Sequence, residues 1–185
     1  MRLLIAGTGA SGSLYLQRLL HHLEGKGHEL HLVLSSYAKQ VIHLEIGTLK
    51  IPEGTQRYQE KPMTAPCVSG SALFDAMIVI PCSMGTVGRI AAGTSDSLII
   101  RSADVFLKER RKLILVVRET PWNLIHARNV VTVMEAGATM FPAMPSFYSN
   151  PKTFEELVDT VVFRVLDQLG IHLEEAYRWG DREQK

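Results

Sequence analysis

Apolar residues along this chain fall into short continuous runs that alternate with stretches of helical spacing. Leu3 to Ala6 is an apolar run closed by Gly7, and in Ser13 to Leu23 the residues Leu16, Leu19, Leu20 and Leu23 repeat at helical intervals. That order predicts strand, tight turn, helix. Glu29 to Leu34 predicts a second strand, and Tyr37 to Glu45 a second helix that ends near Gly47. Ala76 to Ile80 predicts a third strand stopped by Pro81, with helical patterns following at Val87 to Ala92 and Ser97 to Arg110. Leu113 to Val117 is the most β-prone run, with a helix from Asn123 to Glu135 behind it and a short last strand from Ala138 to Phe141. Thr153 opens a final helix to about Leu169, with a Thr-Phe-Glu-Glu start and Gly170 as its stop.

Strands that are wholly apolar and alternate with helices imply a parallel sheet covered on both faces. The expected class is therefore α/β: a three-layer, Rossmann-like fold with a mostly parallel sheet. No repeat, low-complexity tract or linker interrupts the pattern, so residues 1–185 are expected to form one domain with a mobile tail from about residue 171. The polar, Pro- and Gly-containing stretch from about Leu49 to Ser71 is expected to be an excursion loop, long enough to suspect a function.

Composition narrows the classes. A length of 185 residues with 46% hydrophobic residues and a mean hydropathy of +0.06 argues against disorder. Twenty basic against nineteen acidic side chains leave a net charge of +1, which does not support a general nucleic-acid binder. Cys67 and Cys82 are too few for a disulfide framework, and a reducing cytoplasm is the expected setting. The apolar start breaks at Gly7, short of the ~7–15 residues of a signal core, and no run reaches the ~18–20 of a membrane span. A soluble protein that begins with its first strand is expected.

In open parallel sheets, ligands bind outside the carboxyl ends of the strands. After the first strand stands Gly7-Thr-Gly-Ala-Ser-Gly12, a G-x-G-x-x-G match that is weak alone. A dinucleotide also requires an acidic residue at the end of the second strand, but that end is Ser35-Ser36, and Glu29 lies at the wrong edge. Ser11, Ser35 and the cluster Ser83-Met84-Gly85-Thr86 fit a single phosphate better, held by backbone N–H groups and hydroxyl donors. Capping serines explain each loop singly; three converging strand ends favour a ligand.

The second group is cationic. Arg101 and Lys108 lie seven residues apart on one predicted helix face, and Arg118-Glu119 closes the LILVV strand where ligands bind. A carboxylate beside cations there is a candidate for proton transfer, and an internal salt bridge explains it nearly as well. Arg110, Arg111 and Lys112 read as a solvated helix end favoured by the macrodipole. The proline-punctuated loop 142–151 presents Phe147 and Tyr148, and Arg164 interrupts apolar positions, so it is expected to face another element or subunit. Cys82 reads as a buried small residue, His21 and His22 as surface residues of the first helix, and His43 and His126 have no metal-ligating partners at suitable spacing. No metal is expected.

With these segments placed, the chain resembles the UbiX-type flavin prenyltransferases. The likeness rests on GASG at 9–12, Ser35, PCSMGT at 81–86 and IAAGTSDSLIIRSADVFLKERRKLILVVRETP at 90–121, and continues through GATMFPAMPSFYSNP at 137–151, RVLDQLGI at 164–171 and RWG at 178–180. The resemblance implies transfer of a dimethylallyl group from dimethylallyl monophosphate, or the diphosphate, to reduced FMN, without a metal. The group becomes a fourth ring on the flavin, and the prenylated FMN is released as cofactor for UbiD-type decarboxylases. It also implies a homododecamer with active sites shared between subunits.

By resemblance, Gly9, Ala10, Ser11, Ser35, Ser83, Met84, Gly85, Thr86 and Arg118 match FMN-contacting positions. Tyr148 and Arg164 match positions that hold the prenyl phosphate, and Arg101 and Lys108 match basic positions lining the same pocket. Ser11, Glu45 and Glu119 match positions that assist departure of the leaving group and proton movement, and Trp179 is a candidate aromatic contributor from the tail. Trp122-Asn123 after RETP and Ser97 depart modestly from the family pattern. Two rivals share the flavin site. A flavin-dependent peptidyl-cysteine or phosphopantothenoylcysteine decarboxylase would require a histidine before the third strand, and residues 47–79 contain none; its PASAN motif is replaced by PCSMG. A non-catalytic flavin carrier would not need the set Lys108, Glu119, Tyr148 and Arg164.

Overall fold

A computed structural model describes residues 1–61 and 64–180. Six parallel strands form one sheet in the order β3-β2-β1-β4-β5-β6: β1 Arg2–Gly7, β2 Glu29–Leu34, β3 Gln56–Tyr58, β4 Ala76–Cys82, β5 Lys112–Val117 and β6 Thr139–Pro142. The helices are α1 Ser13–Leu23, α2 Ser36–Ile46, α3 Met84–Ala91, α4 Leu98–Lys108, α5 Leu124–Glu135 and α6 Phe154–Gln168. Alternation along each strand sends its side chains to two cores. From β1, Leu3 and Ile5 enter a layer shared with α1, α2 and α6, while Leu4 and Ala6 enter one shared with α3, α4 and α5. Both faces are therefore dry, which is why the strands read as unbroken apolar runs.

The seam between α1 and α6 packs Leu16, Leu19, Leu20 and Leu23 against Val158, Val161, Val162, Val165 and Leu166, each fully or nearly buried. A buried leucine contributes about 1.5–3 kcal/mol. An ion cluster lies in the same seam. Arg18 grips Asp159 through Nε at 2.8 Å and Nη2 at 2.5 Å, and His22 Nε2 stands 2.9 Å from the same carboxylate. His22 is thus buried and paired, not the surface residue its polarity suggests, whereas His21 beside it is exposed.

Three further expectations change. The stretch 49–71 is not only a loop: Gln56–Tyr58 adds an edge strand beside β2, and Pro66–Val68 forms a 3-10 turn whose Cys67 is buried in the α3/α4/α5 layer. Segment 171–180 is packed, with Leu173 and Ala176 in the α1/α6 core; residues 181–185 of the expected tail lie outside the described residues. Arg111 and Lys112 are not merely solvated. Arg111 donates to the carbonyls of Ala72 at 2.7 Å and Gly70 at 2.5 Å, and Lys112 to that of Gln168. Among the described residues no helix is long and apolar enough to cross a membrane.

Candidate active site at the carboxyl edge of the sheet

Strand order reverses between β1 and β4, so the loops that follow them flank the crevice where ligands of such sheets bind. Thr8, which the glycine pattern does not single out, stitches those two loops together. Its N–H and hydroxyl donate to the Pro81 carbonyl at 3.1 and 2.9 Å, and its hydroxyl accepts the Ser83 N–H at 2.8 Å. Ala10 is buried, and its N–H closes a turn onto the Thr8 carbonyl. Gly9 is tight against Tyr37, whose Cβ would lie 2.5 Å from any Cβ placed on the glycine.

Gly12 has φ +115° and starts α1 with no hydroxyl cap. Glu45, from the end of α2, takes that place: its carboxylate accepts the Gly12 N–H at 3.0–3.1 Å and the Ser13 N–H at 2.7 Å. Burial by itself would raise the Glu45 carboxyl, but hydrogen bonds from the Ser11 hydroxyl and the Ser13 and Gly12 amides hold it below the usual range. It is an anion at neutral pH, engaged by these hydrogen bonds. A second carboxylate, Glu60, accepts the Ser36 N–H at 3.1 Å at the start of α2.

The serines partly follow the plainer expectation. Ser35 Oγ accepts the Ala38 N–H, and Ser83 Oγ accepts the Thr86 N–H, so both cap helices. Met84 and Thr86 are buried, leaving Ser83, Gly85 and the first-turn amides of α3 as the groups available to a ligand there. Arg118 crosses from β5 to β1: its Nε donates to the Ser11 carbonyl at 3.2 Å, and its N–H to the Cys82 carbonyl. Tyr15 packs beside this junction, its phenol pushed up by burial against the opposing pull of Arg118. Glu119 is exposed at the same edge, its carbonyl accepting the Trp122 indole N–H at 3.1 Å.

Helices α1, α2 and α3 all begin at this edge and point their positive ends at it. Helix amides, hydroxyls and one guanidinium form a donor set that suits a phosphate, and the carboxylates now on those amides show that it accepts anions. The chemistry fits FMN. Full burial pushes the Cys82 thiol far up, so it stays protonated and unreactive.

The remaining candidates stand elsewhere. Tyr148 meets Trp179 edge-on with ring centres 5.2 Å apart, and Arg164 Nη1 donates to Asp167 Oδ2 at 3.3 Å. Both Tyr148 and Arg164 are exposed. Arg101 and Lys108 do share a helix, α4, but each is paired, Arg101 with Asp104 at 2.7 Å and Lys108 with Glu109. Because α4 leads directly into the start of β5, Lys108 lies toward the amino edge of the sheet, away from the glycine loop of its own chain.

Comparison with known proteins sets this arrangement in a family. Residues 1–166 match the Flavoprotein family. A probable UbiX-like flavin prenyltransferase of Bacillus subtilis is 45% identical over 188 aligned residues, covering 100% of this chain and 92% of the relative. A crystal structure of AnUbiX (PadA1) in complex with FMN and dimethylallyl pyrophosphate superposes with a TM-score of 0.91 at 41% identity, over 98% of both chains. A dodecameric FMN-dependent UbiX-like decarboxylase from Escherichia coli O157:H7 superposes at 0.89 and 41% identity, over 97% of this chain and 99% of that one. The chain belongs to the Flavoprotein family and, within it, to the UbiX-type flavin prenyltransferases.

Proposed function

We propose that this protein joins a dimethylallyl group, taken from dimethylallyl monophosphate or the diphosphate, to reduced FMN, and passes the prenylated FMN to a UbiD-type decarboxylase. One observation carries the reading beyond flavin binding. Tyr148 meets Trp179 edge-on, and Asp167 ties Arg164 to Arg178, the residue before that tryptophan, so a phenol and a guanidinium suited to a second anion flank one segment. Holding one flavin phosphate requires only the donor set at the switch point. The full-length likeness to flavin prenyltransferases, and the ligands of AnUbiX, support the same conclusion.

In this reading the amides that open α3, with Gly9, Ala10, Ser11, Ser35, Ser83, Gly85 and Arg118, hold FMN, and Met84 and Thr86 brace the loop from inside. When bound and reduced, the flavin supplies the electron pair that captures the prenyl carbon. Allylic C–O cleavage leaves its electron pair on a phosphate oxygen, and fixed cationic or phenolic donors stabilise that charge by about 3 kcal/mol each. Tyr148 and Arg164 perform that task, joined by Arg101 and Lys108. The anionic Glu45 orients the Ser11 hydroxyl, and Glu119 accepts or returns the proton displaced from the flavin.

Since Lys108 ends α4 toward the amino edge of the sheet, away from the glycine loop of the same chain, a second copy supplies it. The exposed Leu124, Ile125, Val131 and Met134 of α5 give subunits an apolar surface to bury, and the dodecameric relative supports a homododecamer. Two free, buried cysteines suit a cytoplasmic setting. The test is anaerobic incubation with reduced FMN and either donor, followed by mass spectrometry of the released flavin. A gain of one C5H8 unit is expected. Unmodified flavin from protein that demonstrably binds it would leave the carrier or thiol-decarboxylase reading.

A further inference from the structure

We propose that Asp167 is the positioning residue of the prenyl-phosphate half-site, holding Arg164 directly and seating Trp179 on Tyr148 through a clamp on the neighbouring Arg178. The inference rests on the prenyl-transfer reading above and adds a residue with no role in it. Asp167 lies one helical turn after Arg164 on α6, and its side chain is only 8% exposed. Two arginines and a histidine converge on its carboxylate. Arg178 Nη1 is 2.5 Å and Arg164 Nη1 3.3 Å from Oδ2, and His172 Nδ1 is 3.0 Å from Oδ1.

The partners span the two parts of the half-site. Arg164 is a candidate phosphate ligand on the rigid helix; His172 and Arg178 belong to segment 171–180, which has no helix or strand of its own. That segment is fixed by the apolar plugs Leu173 and Ala176 on one side and by Asp167 on the other. Trp179 follows Arg178 directly, so the position of its ring against Tyr148, at 78° between planes, is set by the clamp. A guanidinium has five N–H donors, and the contact with Asp167 employs Nη1 of Arg164. The carboxylate therefore orients the Arg164 guanidinium through one nitrogen and leaves its other N–H groups to a ligand. Hydrogen bonding from Arg178, ahead of His172 and the nearby charges, holds the Asp167 carboxyl below its ordinary range, so the anchor is charged at neutral pH.

The experiment uses the full-length protein loaded with oxidised FMN and titrates dimethylallyl monophosphate by calorimetry, alongside steady-state kinetics and tryptic cleavage after Arg178. Asp167→Asn is expected to weaken donor binding and raise the donor KM about tenfold, with kcat and FMN affinity changed much less, and to speed cleavage after Arg178. Asp167→Glu, which restores the charge, is expected to recover part of the donor affinity. Wild-type donor affinity in Asp167→Asn overturns the proposal, as does an equal loss of FMN and donor binding with a lower Tm. If Asp167→Asn does not fold, Arg178→Gln replaces it: a similar rise in donor Kd is expected, and unchanged binding overturns the clamp. Wild-type protein that binds the donor without transferring it would remove the prenyltransferase reading and leave the clamp standing on binding and cleavage; failure to bind the donor would remove both.

Discussion

Helix α6 carries two aspartates with nearly identical retinues and different consequences. Asp159 and Asp167 are eight residues apart, each with its side chain 8% exposed, and each is held by arginine and histidine. The difference lies in the partners. Around Asp159 they are Arg18 and His22, 21% and 7% exposed, so the cluster is sealed between α1 and α6. Around Asp167 they include Arg164 and His172, 61% and 69% exposed, so positive charge remains open to solvent. Burial of the partners separates the two clusters: one is shut inside the fold and the other faces solvent.

The contrast is broken most severely at Asp159. Asp159→Ala leaves Arg18 and His22 without their carboxylate and is expected to cost about 3 kcal/mol, which lowers Tm by roughly 6–12 °C in calorimetry, with the donor KM unchanged. Next in size, Tyr148→Phe keeps the ring contact with Trp179 and removes the phenol donor. A rise of about tenfold in donor KM is expected, with FMN titrations unaltered. Salt separates the clusters more gently. As the Debye length shrinks from ~10 Å at 0.1 M to ~3 Å at 1 M, donor affinity is expected to fall a few-fold, while the Tm gap between wild type and Asp159→Ala holds steady.

Acid gives the smallest effect. Burial alone would raise the Asp159 carboxyl, but hydrogen bonds from His22 and Arg18 hold it below its ordinary range. A depressed folded pKa contributes stability that is present above the unfolded value, about 3.9, and is lost as pH falls through the folded one. Urea midpoints measured from pH 5 down to pH 2 should therefore fall more steeply for wild type than for Asp159→Asn, most of the difference accruing below about pH 4.

The elements legible in the sequence were those whose apolar residues also set their position. β1, β4 and β5 are buried on both faces, and α1 presents a leucine stripe, so periodicity alone places them. β3 escaped because an edge strand of Gln-Arg-Tyr buries little and is defined only by its neighbour. The sequence does not reveal His22 as buried, because what makes it so is Asp159, far away in the chain. At the site, the glycine loop, Ser35, Ser83 and Arg118 announce themselves at strand ends. Thr8, Glu60 and the carboxylate of Glu45 on the α1 amides do not, since their partners are brought to them by the sheet. Segment 171–180 hides its role too: Leu173 and Ala176 follow neither helix nor strand periodicity and gain meaning only beside α6.

The seam between α1 and α6 has a consequence for how the protein is made. Arg18 and Asp159 are 141 residues apart, so the leucine face of α1 leaves the ribosome well before the helix that covers it. Until α6 is synthesised, Leu16, Leu19, Leu20 and Leu23 lack the valines that cover them, and a nascent or truncated chain displays that stripe to whatever binds exposed apolar surface. The flavin loops are completed far earlier, when Pro81 and Ser83 reach Thr8. Vectorial synthesis thus builds the cofactor edge before the core beneath it is closed.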